Sequence, residues 1–400
     1  MNKNMQQLFA LAQKQQRKII GLMSGTSLDG LDIALCTIAG HGQETKVEVA
    51  AFETIPYNPA FKAEIKSVFS KKEVDLEKLC LLHPWVALQQ AAMINEFLQQ
   101  RNIAKEEVDL IASHGQTIYH APKALHQLEK FSNATLQIGD GDHMAVATGI
   151  ITISDFRQKH IAAGGEGAPL AVYGDYLIFS KKEEDRIMLN MGGIANYTYL
   201  PGSLDANKIF STDTGPGNTI MDALMQKEYP GTYFDEGAAI AKQGTVNEVL
   251  LKALLDHPFF EQAFPKTTGP ELFNLQYLQE AKEKTGLQNL SVFDTMATLN
   301  LFSAQTIAAA MQQTMAGKSD FHMYASGGGM HNPLLMQHIK TLLPQVSIHL
   351  TSELGIHPDA KEAVLFAVLA NECIAGGTIH FGDHHRGVPT VTMGKISFPW

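Results

Sequence analysis

The chain has 400 residues, 45% of them hydrophobic and 18% charged, a composition typical of a folded protein large enough for two domains. Its 31 Lys and Arg residues are outnumbered by 41 Asp and Glu residues, and it has no basic run with interleaved aromatic residues, which argues against nucleic-acid binding. Three widely spaced cysteines form no metal-binding pattern, and the apolar run near the N-terminus is too short for a membrane span. We therefore expect a cytoplasmic protein with no membrane or nucleic-acid partner, in which residues 1–17 are a frayed or helical extension.

The first informative stretch, residues 21–32, is a turn rich in glycine and hydroxyl residues between two predicted strands. Apolar residues before it and alternating residues after it are typical of strands, so the stretch predicts the tip of a β-hairpin. Its glycines Gly21, Gly25 and Gly30 can adopt positive φ angles and let a ligand approach the main-chain N–H groups. The tip is predicted either to hold phosphate groups or to be only a tight turn.

Further along, the pattern predicts a long amphipathic helix at residues 76–100 and a buried strand at 108–112. Three polar residues, His114, Gln116 and Thr117, follow that strand directly. Because open α/β sheets bind ligands at the carboxyl ends of their strands, these side chains predict a site for a sugar or another polar substrate. A structural role is the alternative for His114.

A predicted strand at residues 150–153 leads to Asp155 and Arg157. These two side chains are expected either to form an ion pair with each other or to face the substrate. The second alternative follows from the arginine fork, which is well suited to a substrate that bears a carboxylate.

The second half of the chain repeats the pattern of strand, glycine turn and strand. A strand at residues 186–190, the pair Gly192 and Gly193, and a strand at 197–200 match the arrangement near the N-terminus. This similarity predicts an internal duplication, with two domains that each open on a glycine-tipped hairpin.

Two carboxylates and a glycine triplet in this half are candidate site residues. The strand at 209–211 is predicted to end before Asp213, because the Gly-Pro-Gly at 215–217 does not continue a strand. Asp213 is then expected to face a ligand or to act as a turn or N-cap residue. The three glycines 327–329 between a strand and a helix leave room for a nucleotide base or ribose. Glu362, in the first turn of a predicted helix, either binds a ligand or complements the helix dipole.

Taken together, these stretches resemble the anhydro-N-acetylmuramic acid kinase family, within the superfamily of actin, sugar kinases and heat-shock ATPases. The resemblance rests on seven ordered motifs at residues 21–30, 113–117, 155–157, 167–170, 190–193, 213–218 and 327–329. Two departures are the extension at 1–18 and Thr212, where the family often has an aromatic residue before the aspartate.

The resemblance implies an α/β fold of two ribonuclease H-like domains, each a mixed five-stranded sheet flanked by helices, with an ATP cleft between them. We expect an N-terminal domain at residues 18–154 completed by a C-terminal strand within 386–400. The C-terminal domain is expected at 155–385.

The resemblance also implies an enzyme, a kinase that hydrolytically opens the 1,6-anhydro ring of 1,6-anhydro-N-acetylmuramic acid and phosphorylates O6 in peptidoglycan recycling. The products are N-acetylmuramic acid 6-phosphate and ADP. Asp213 matches the aspartate base of the family, and a general base contributes about 10²–10⁴-fold to such a reaction. Positioning and charge neutralisation account for most of a phosphoryl transfer.

The implied cofactors are ATP and Mg²⁺, with the metal expected on the nucleotide and its protein ligands unassigned. A homodimer is left open. The predicted ATP-binding residues are Gly25, Thr26, Ser27, Leu28, Asp29, Gly30, Leu31, Asp32, Gly192, Gly193, Gly327, Gly328 and Gly329. The predicted substrate-binding residues are His114, Gln116, Thr117, Asp155, Arg157 and Glu362.

Three alternatives stay open at this point. The chain could be another amino-sugar kinase of the same superfamily, because function depends on the site rather than the fold. It could be a nucleotide-independent glycoside hydrolase with Asp213 and Glu362 as paired carboxylates. A non-catalytic sugar-binding sensor is the third. Dependence on nucleotide separates the kinases from the other two, and product analysis separates the kinases from each other.

Overall fold

The structure, a computed structural model, describes residues 2–168, 170–318, 320–376 and 391–400. The chain forms two compact units, unit 1 from Met1–Phe179 with Gly355–Trp400 and unit 2 from Ser180–Leu354. In these described ranges, no helix combines the length and the apolar character that crossing a membrane requires.

After one helix, unit 1 opens on three consecutive strands, and helices and further strands follow. The strands are β1 (Gln16–Met23), β2 (Gly30–Ala39), β3 (Lys46–Pro56), β4 (Leu110–Ser113), β5 (Gln116–Ala121), β6 (Ala134–Ile138) and β7 (Thr152–Ser154). The helices are α1 (Lys3–Gln13), α2 (Pro59–Val68), α3 (Leu76–Gln100), α4 (Lys123–His126), α5 (Gly141–Thr148), α6 (Phe156–Ala162) and α7 (Ala171–Phe179). The N-terminal extension is thus helical, and α3 has the predicted bounds and continues through Pro84.

Unit 2 also opens on three consecutive strands, and after its last strand the chain returns to unit 1. The strands of unit 2 are β8 (Asp185–Met191), β9 (Ile194–Leu200), β10 (Phe210–Pro216), β11 (Phe321–Ser326) and β12 (Ser347–Leu350). Its helices are α8 (Thr219–Glu228), α9 (Glu248–Leu255), α10 (Leu275–Thr285), α11 (Val292–Met315) and α12 (Pro333–Leu342). The last elements of unit 1 are α13 (Lys361–Ala375) and β13 (Lys395–Ser397).

The two main sheets share one strand arrangement. In unit 1 the order is β13-β7-β4-β1-β2-β3, and in unit 2 it is β10-β9-β8-β11-β12. The first hairpin of each unit is antiparallel, β1 with β2 and β8 with β9, and the strand on the other side of β1 or β8 is parallel. The third strand of each unit is antiparallel to the second. The structure therefore confirms the predicted duplication and the α/β class with mixed sheets.

The sheet of unit 1 has six strands rather than the five expected. The additional strand, β13, pairs antiparallel with β7, so it extends the edge beyond the arrangement that the two units share. A C-terminal strand was expected within residues 386–400, and residues 395–397 form one. Residues 386–390 lie outside the described part of the chain.

The divisions between the units differ from the predicted ones. We expected a boundary after residue 154, whereas α6, α7 and α13 all belong to unit 1. The reason is packing, since α13 lies against β1, β2 and β4 and also contacts α7. One face of the sheet is covered in this way, and the other face packs on α2, α3 and α5 through a core that includes Ile20, Ile33, Phe61, Ile94 and Met144.

Close packing of α13 on β1 depends on a glycine. A Cβ atom at Gly21 would overlap the main-chain carbonyl oxygen of Ala363 in α13. Gly21 is therefore required for the approach of the helix, and its φ angle is not positive. In unit 2, the long helix α11 has the corresponding central place, because its buried residues join the sheet core to a second apolar cluster around α8, α9 and α10.

This packing predicts that alanine destabilises the protein at one glycine of the motif and has little effect at another. Gly21→Ala should destabilise the protein by about 1–3 kcal/mol, the usual cost of overpacking a core. Gly25→Ala is the matched control, because a Cβ there meets nothing nearer than the Ser27 hydroxyl at 3.6 Å. Urea unfolding followed by circular dichroism measures both variants, and equal midpoints would contradict the proposed role of Gly21.

Candidate active site

The predicted phosphate tip lies between β1 and β2 of unit 1. Thr26, Ser27 and Asp29 are exposed, whereas Leu28 is buried in the core and has a φ of 60°. The Leu28 N–H donates to the carbonyl oxygen of Gly25 at 3.3 Å, which closes the turn. The buried Leu28 anchors the tip, and the hydroxyl residues before it face solvent.

The expected use of glycine in this tip needs a correction. None of Gly21, Gly25 and Gly30 has a positive φ, and Leu28 takes the left-handed conformation instead. Gly30 is required because a Cβ atom there would lie 2.5 Å from the carbonyl oxygen of Ile55 in the neighbouring strand. Gly25 has open space around it, so it alone of the three leaves room for a ligand next to the main chain.

The side chains of Leu31 and Asp32 have different surroundings. Leu31 is fully buried, so it offers a ligand only its backbone. Asp32 is half-buried and accepts a hydrogen bond from the Thr54 hydroxyl at 2.6 Å. Burial raises the pKa of Asp32 and the Thr54 hydrogen bond lowers it, while the negative charges of Asp359 and Asp29 raise it further.

His114 and Arg157 form the centre of a polar cluster in unit 1. The guanidinium donates from Nε (3.2 Å) and from Nη2 (3.0 Å) to Nε2 of His114, and from Nη1 to the carbonyl oxygen of Gly167 at 2.6 Å. Thr117 is linked to these two side chains through a hydrogen bond with Gln137. When the amide oxygen of Gln137 faces the guanidinium, it accepts from Arg157 Nε at 2.8 Å. The structure thus brings together three of the predicted substrate residues.

The electrostatics of this cluster fix the tautomer of His114. Burial and the positive charge of Arg157 lower its pKa to about 3, so the ring is neutral at physiological pH. Its Nδ1 lies 3.0 Å from the carbonyl oxygen of Gly115, which places the proton there and leaves Nε2 as the acceptor for Arg157. His114 therefore orients the guanidinium as a neutral acceptor and adds no charge beside it.

Glu362 belongs to the same electrostatic environment. It is solvent-exposed in the first turn of α13, yet desolvation by the surrounding protein raises its pKa, and the positive charges of Lys361 and Arg157 lower it. Burial lowers the pKa of Arg157, and the negative charge of Glu362 raises it. Glu362 and Arg157 are thus electrostatically coupled within unit 1.

Two of the predicted substrate residues are engaged elsewhere. Asp155 pairs with Lys395 at 2.5 Å rather than with Arg157, because β13 brings the lysine next to it. Gln116 is fully buried and accepts from the Ser24 hydroxyl at 2.5 Å, so its side chain joins the phosphate tip to β5. Direct contact of a sugar with Gln116 would require that buried bond to break.

Asp213, in unit 2, lies within a strand rather than in the predicted turn. Strand β10 continues through Pro216, and its register shifts between Asp213 and Gly215. The prediction was wrong because β10 is the outer strand of its sheet, where proline costs no sheet hydrogen bond. The Asp213 side chain is half-buried at this edge.

The loop between α9 and α10 holds Asp213 by two hydrogen bonds of its main chain. The Asp213 N–H donates to the carbonyl oxygen of Lys266 at 3.0 Å, and the Thr268 N–H donates to Asp213 Oδ2 at 2.8 Å. Within the described residues, Oδ1 accepts no hydrogen bond, so one carboxylate oxygen is fixed and the other is available. Burial raises the pKa of Asp213, the Thr268 N–H lowers it, and the charge of Glu271 raises it.

The loop is anchored by Lys266, a residue that none of the sequence motifs indicated. Its ammonium group is buried and donates to the carbonyl oxygens of Phe259 (3.0 Å) and Phe260 (3.2 Å). It also lies 4.5 Å from the ring centroid of Phe259, a cation–π contact. Burial lowers the pKa of Lys266, and no carboxylate of the described residues forms an ion pair with it.

Three glycine turns of unit 2 meet beside the start of α8. The N–H groups of Gly217 and Asn218 donate to the carbonyl oxygens of Gly193 and Gly192 at 2.8 and 2.9 Å. A Cβ atom at Gly329 would lie 3.4 Å from Asn218 Oδ1, so the glycine triplet lies close to the same residue. The predicted nucleotide residues of this unit are therefore neighbours in space.

Known proteins resemble this chain over nearly all of its length. The model of the anhydro-N-acetylmuramic acid kinase family matches residues 17–381. The chain belongs to this family. An anhydro-N-acetylmuramic acid kinase from Pseudoalteromonas atlantica is 59% identical over the whole length of both chains. One from Caldanaerobacter subterraneus is 36% identical over 98% of this chain and 100% of its own.

Membership of the family confirms the resemblance and the assignment of the chain as a kinase. Thr212, one of the two departures from the family pattern, directly precedes Asp213. The Thr212 hydroxyl accepts from the Lys266 N–H at 3.0 Å and lies 3.3 Å from the carbonyl oxygen of the same residue. In this kinase a threonine therefore joins β10 to the loop that holds Asp213.

The state of His114 predicts how stability depends on pH. Its folded-state pKa of about 3 lies below the ordinary value of 6.5, so its contribution to stability is complete above pH 6.5 and decreases as the pH falls towards 3. The expected loss is about 1.4 kcal/mol for each pH unit in that window. His114→Gln retains an acceptor for Arg157 but cannot gain a proton. Urea unfolding at pH 6.5 and 4.5 should show a smaller loss for the variant, and equal losses would contradict the neutral, buried ring.

Proposed function

We propose that this kinase opens the 1,6-anhydro ring of 1,6-anhydro-N-acetylmuramic acid by attack of water and transfers the γ-phosphoryl group of ATP to O6. The relatives named above carry this substrate in their names. The observation that carries the proposal is the carboxylate of Asp213, with Oδ2 fixed by the Thr268 N–H and Oδ1 available. Such an arrangement suits a general base that must keep its direction while it receives a proton.

In the proposed reaction, Asp213 Oδ1 takes a proton from a water molecule as the water oxygen bonds to the anomeric carbon. The bond between that carbon and O6 breaks, and O6 forms a bond to the γ-phosphorus while ADP leaves. Burial raises the pKa of Asp213, which makes its carboxylate a stronger base than that of an ordinary aspartate. The loop at Lys266 limits movement of the carboxylate during the step.

We assign recognition of the acidic sugar to the cluster around Arg157. Its bonds to His114 and Gly167 leave one N–H on each terminal nitrogen for another acceptor. The lactyl carboxylate of an N-acetylmuramic acid derivative is a suitable acceptor for two such parallel donors. Thr117 lies in the same cluster and supplies a hydroxyl for the sugar.

For the nucleotide, we assign the phosphates to the tip at Gly25–Ser27 and the adenosine to the glycine turns of unit 2. The residues fit these ligands, because Cβ atoms at Gly25 and Gly328 would meet only side-chain atoms at 3.6 and 3.8 Å, which leaves space beside the main chain. Mg²⁺ usually binds through phosphates, waters and one or two carboxylates. Asp29 and Asp32 are the carboxylates of the tip, and the metal would neutralise charge on the transferred group.

The proposed location is the cytoplasm, where the substrate and ATP would both be found. Cys36, Cys80 and Cys373 are all free thiols, as is usual in a reducing compartment. A homodimer remains a prediction.

The direct test of this function is incubation of the protein with 1,6-anhydro-N-acetylmuramic acid, ATP and Mg²⁺, followed by mass spectrometry. We expect N-acetylmuramic acid 6-phosphate and ADP in equal amounts. Sugar product without nucleotide would indicate the glycoside hydrolase. Phosphorylation of another amino sugar in preference to this one would indicate a different kinase.

Replacement of the proposed base should separate catalysis from binding. Asp213→Asn retains an acceptor for the Thr268 N–H but removes the basic oxygen, so turnover should fall by about 10² or more. Sugar and nucleotide binding, measured by calorimetry, should be preserved. Glu271→Gln is the control, since loss of its charge should only lower the pKa of Asp213 and move the acidic limb of the rate profile to lower pH. Near-normal turnover of Asp213→Asn would contradict the assignment and make Glu362 the next candidate.

The assignment of adenosine to unit 2 predicts a graded effect at Gly328. A Cβ atom there meets no protein atom closer than 3.8 Å, so we expect the variants to fold, and circular dichroism checks this. Gly328→Ala should weaken ATP binding slightly and Gly328→Val strongly, because the larger side chain fills the space assigned to the nucleotide. Calorimetric titration with a non-hydrolysable ATP analogue measures the series. The same affinity in folded Gly328→Val as in the wild type would exclude this position.

A further inference from the structure

Tyr57 lies beneath the phosphate tip and contacts both of its ends. Its N–H donates to the carbonyl oxygen of Asp29 at 3.1 Å, and its hydroxyl donates to Ser24 Oγ at 2.9 Å. Ser24 directly precedes the segment Gly25–Ser27, and Asp29 lies two residues after it. One buried residue therefore bridges the turn from below.

The hydroxyl of Tyr57 belongs to a chain of hydrogen bonds. Gln90 Nε2 donates to Tyr57 Oη at 3.1 Å, and the Tyr57 hydroxyl donates to Ser24. Ser24 in turn donates to Gln116 Oε1 at 2.5 Å. Gln116 Nε2 then lies 3.4 Å from the carbonyl oxygen of Gly25, which returns the chain to the tip.

All four side chains that form these hydrogen bonds are buried. Gln90, Tyr57, Ser24 and Gln116 are each at most 3% exposed, so water does not replace a bond that is lost. Burial raises the pKa of Tyr57 to about 12, which keeps its hydroxyl protonated and able to donate at neutral pH. The order of donors and acceptors is therefore stable under working conditions.

The ring of Tyr57 is itself held in place by aromatic packing. It stacks on Phe61 of α2 with 4.0 Å between the ring centroids, and Phe61 stacks on Trp85 of α3 at 5.3 Å. These helices belong to the core of unit 1. The position of the hydroxyl is thus set by the core, and the hydroxyl sets the position of Ser24.

We propose that Tyr57 is a positioning residue that holds the main chain of the tip in the geometry required to bind the phosphates of ATP. This inference rests on the proposed function, because it assumes that the tip binds those phosphates. No motif of the sequence indicated the role, since Tyr57 lies outside the glycine-rich stretch and reaches it only through tertiary structure.

The test is Tyr57→Phe, which keeps the ring and its stacking but removes the hydroxyl. Loss of a buried partner should leave Ser24 free to shift, and we expect the dissociation constant of a non-hydrolysable ATP analogue to rise about tenfold. The KM for ATP should rise similarly, with a much smaller change in kcat. Ser24→Ala should have the same effect, and the double variant should be little worse than either single one because both interrupt the same chain.

Two controls make the result specific. Tyr277→Phe removes a hydroxyl that donates to the carbonyl oxygen of Leu254 at 2.5 Å in unit 2, so it should lower thermal stability without changing ATP affinity. Gly25→Val should weaken ATP binding by occupying the tip directly.

The possible outcomes separate this inference from the function on which it depends. Normal ATP affinity in Tyr57→Phe, with Gly25→Val impaired, would overturn the role of Tyr57 alone. Absence of ATP binding by the wild type, or normal binding by Gly25→Val, would overturn the assignment of the tip and this inference with it. A tenfold loss in Tyr57→Phe and none in Tyr277→Phe would support it.

Discussion

The direct contact of α13 with β1 determines much of the organisation of unit 1. Because Gly21 has no side chain, the helix backbone lies on the strand, and its neighbours follow from that position. Phe366 of α13 lies against the ring of His114, with 4.8 Å between the centroids, and also contacts Phe156 at 5.3 Å. Glu362, one turn earlier, comes under the influence of Arg157. A residue of the phosphate motif thus supports the cluster that we assign to the sugar.

Much of the fold could be predicted because its signals are local. Hydrophobic periodicity predicted the bounds of α3, and the apolar residues before residues 21–32 with the alternating residues after them indicated the first hairpin. The repeated glycine-tipped hairpin indicated the duplication that the strand orders display. Each of these features depends on residues close together in the sequence.

The candidate site was less predictable because its contacts are distant in sequence. Nothing near Asp155 indicates that Lys395 will pair with it, and the burial of Gln116 depends on Ser24 and Tyr57. Strand β10 continues through Pro216 because, in the described part of the chain, it is an edge strand, a property of the sheet rather than of the motif. Lys266 and Thr268 are separated from Asp213 in the sequence by α8 and α9, so no local motif indicates their contact with it.

We propose that Asp213 activates water for attack on the anomeric carbon, while the phosphoryl group is transferred to O6, the oxygen that is released. Solvent enriched in ¹⁸O distinguishes this order from hydrolysis through phosphorus. We expect one ¹⁸O atom at the anomeric hydroxyl of the sugar phosphate and none in its phosphate group, as determined by mass spectrometry of fragments. Label in the phosphate, or an unlabelled anomeric hydroxyl in product analysed before exchange with solvent, would contradict it.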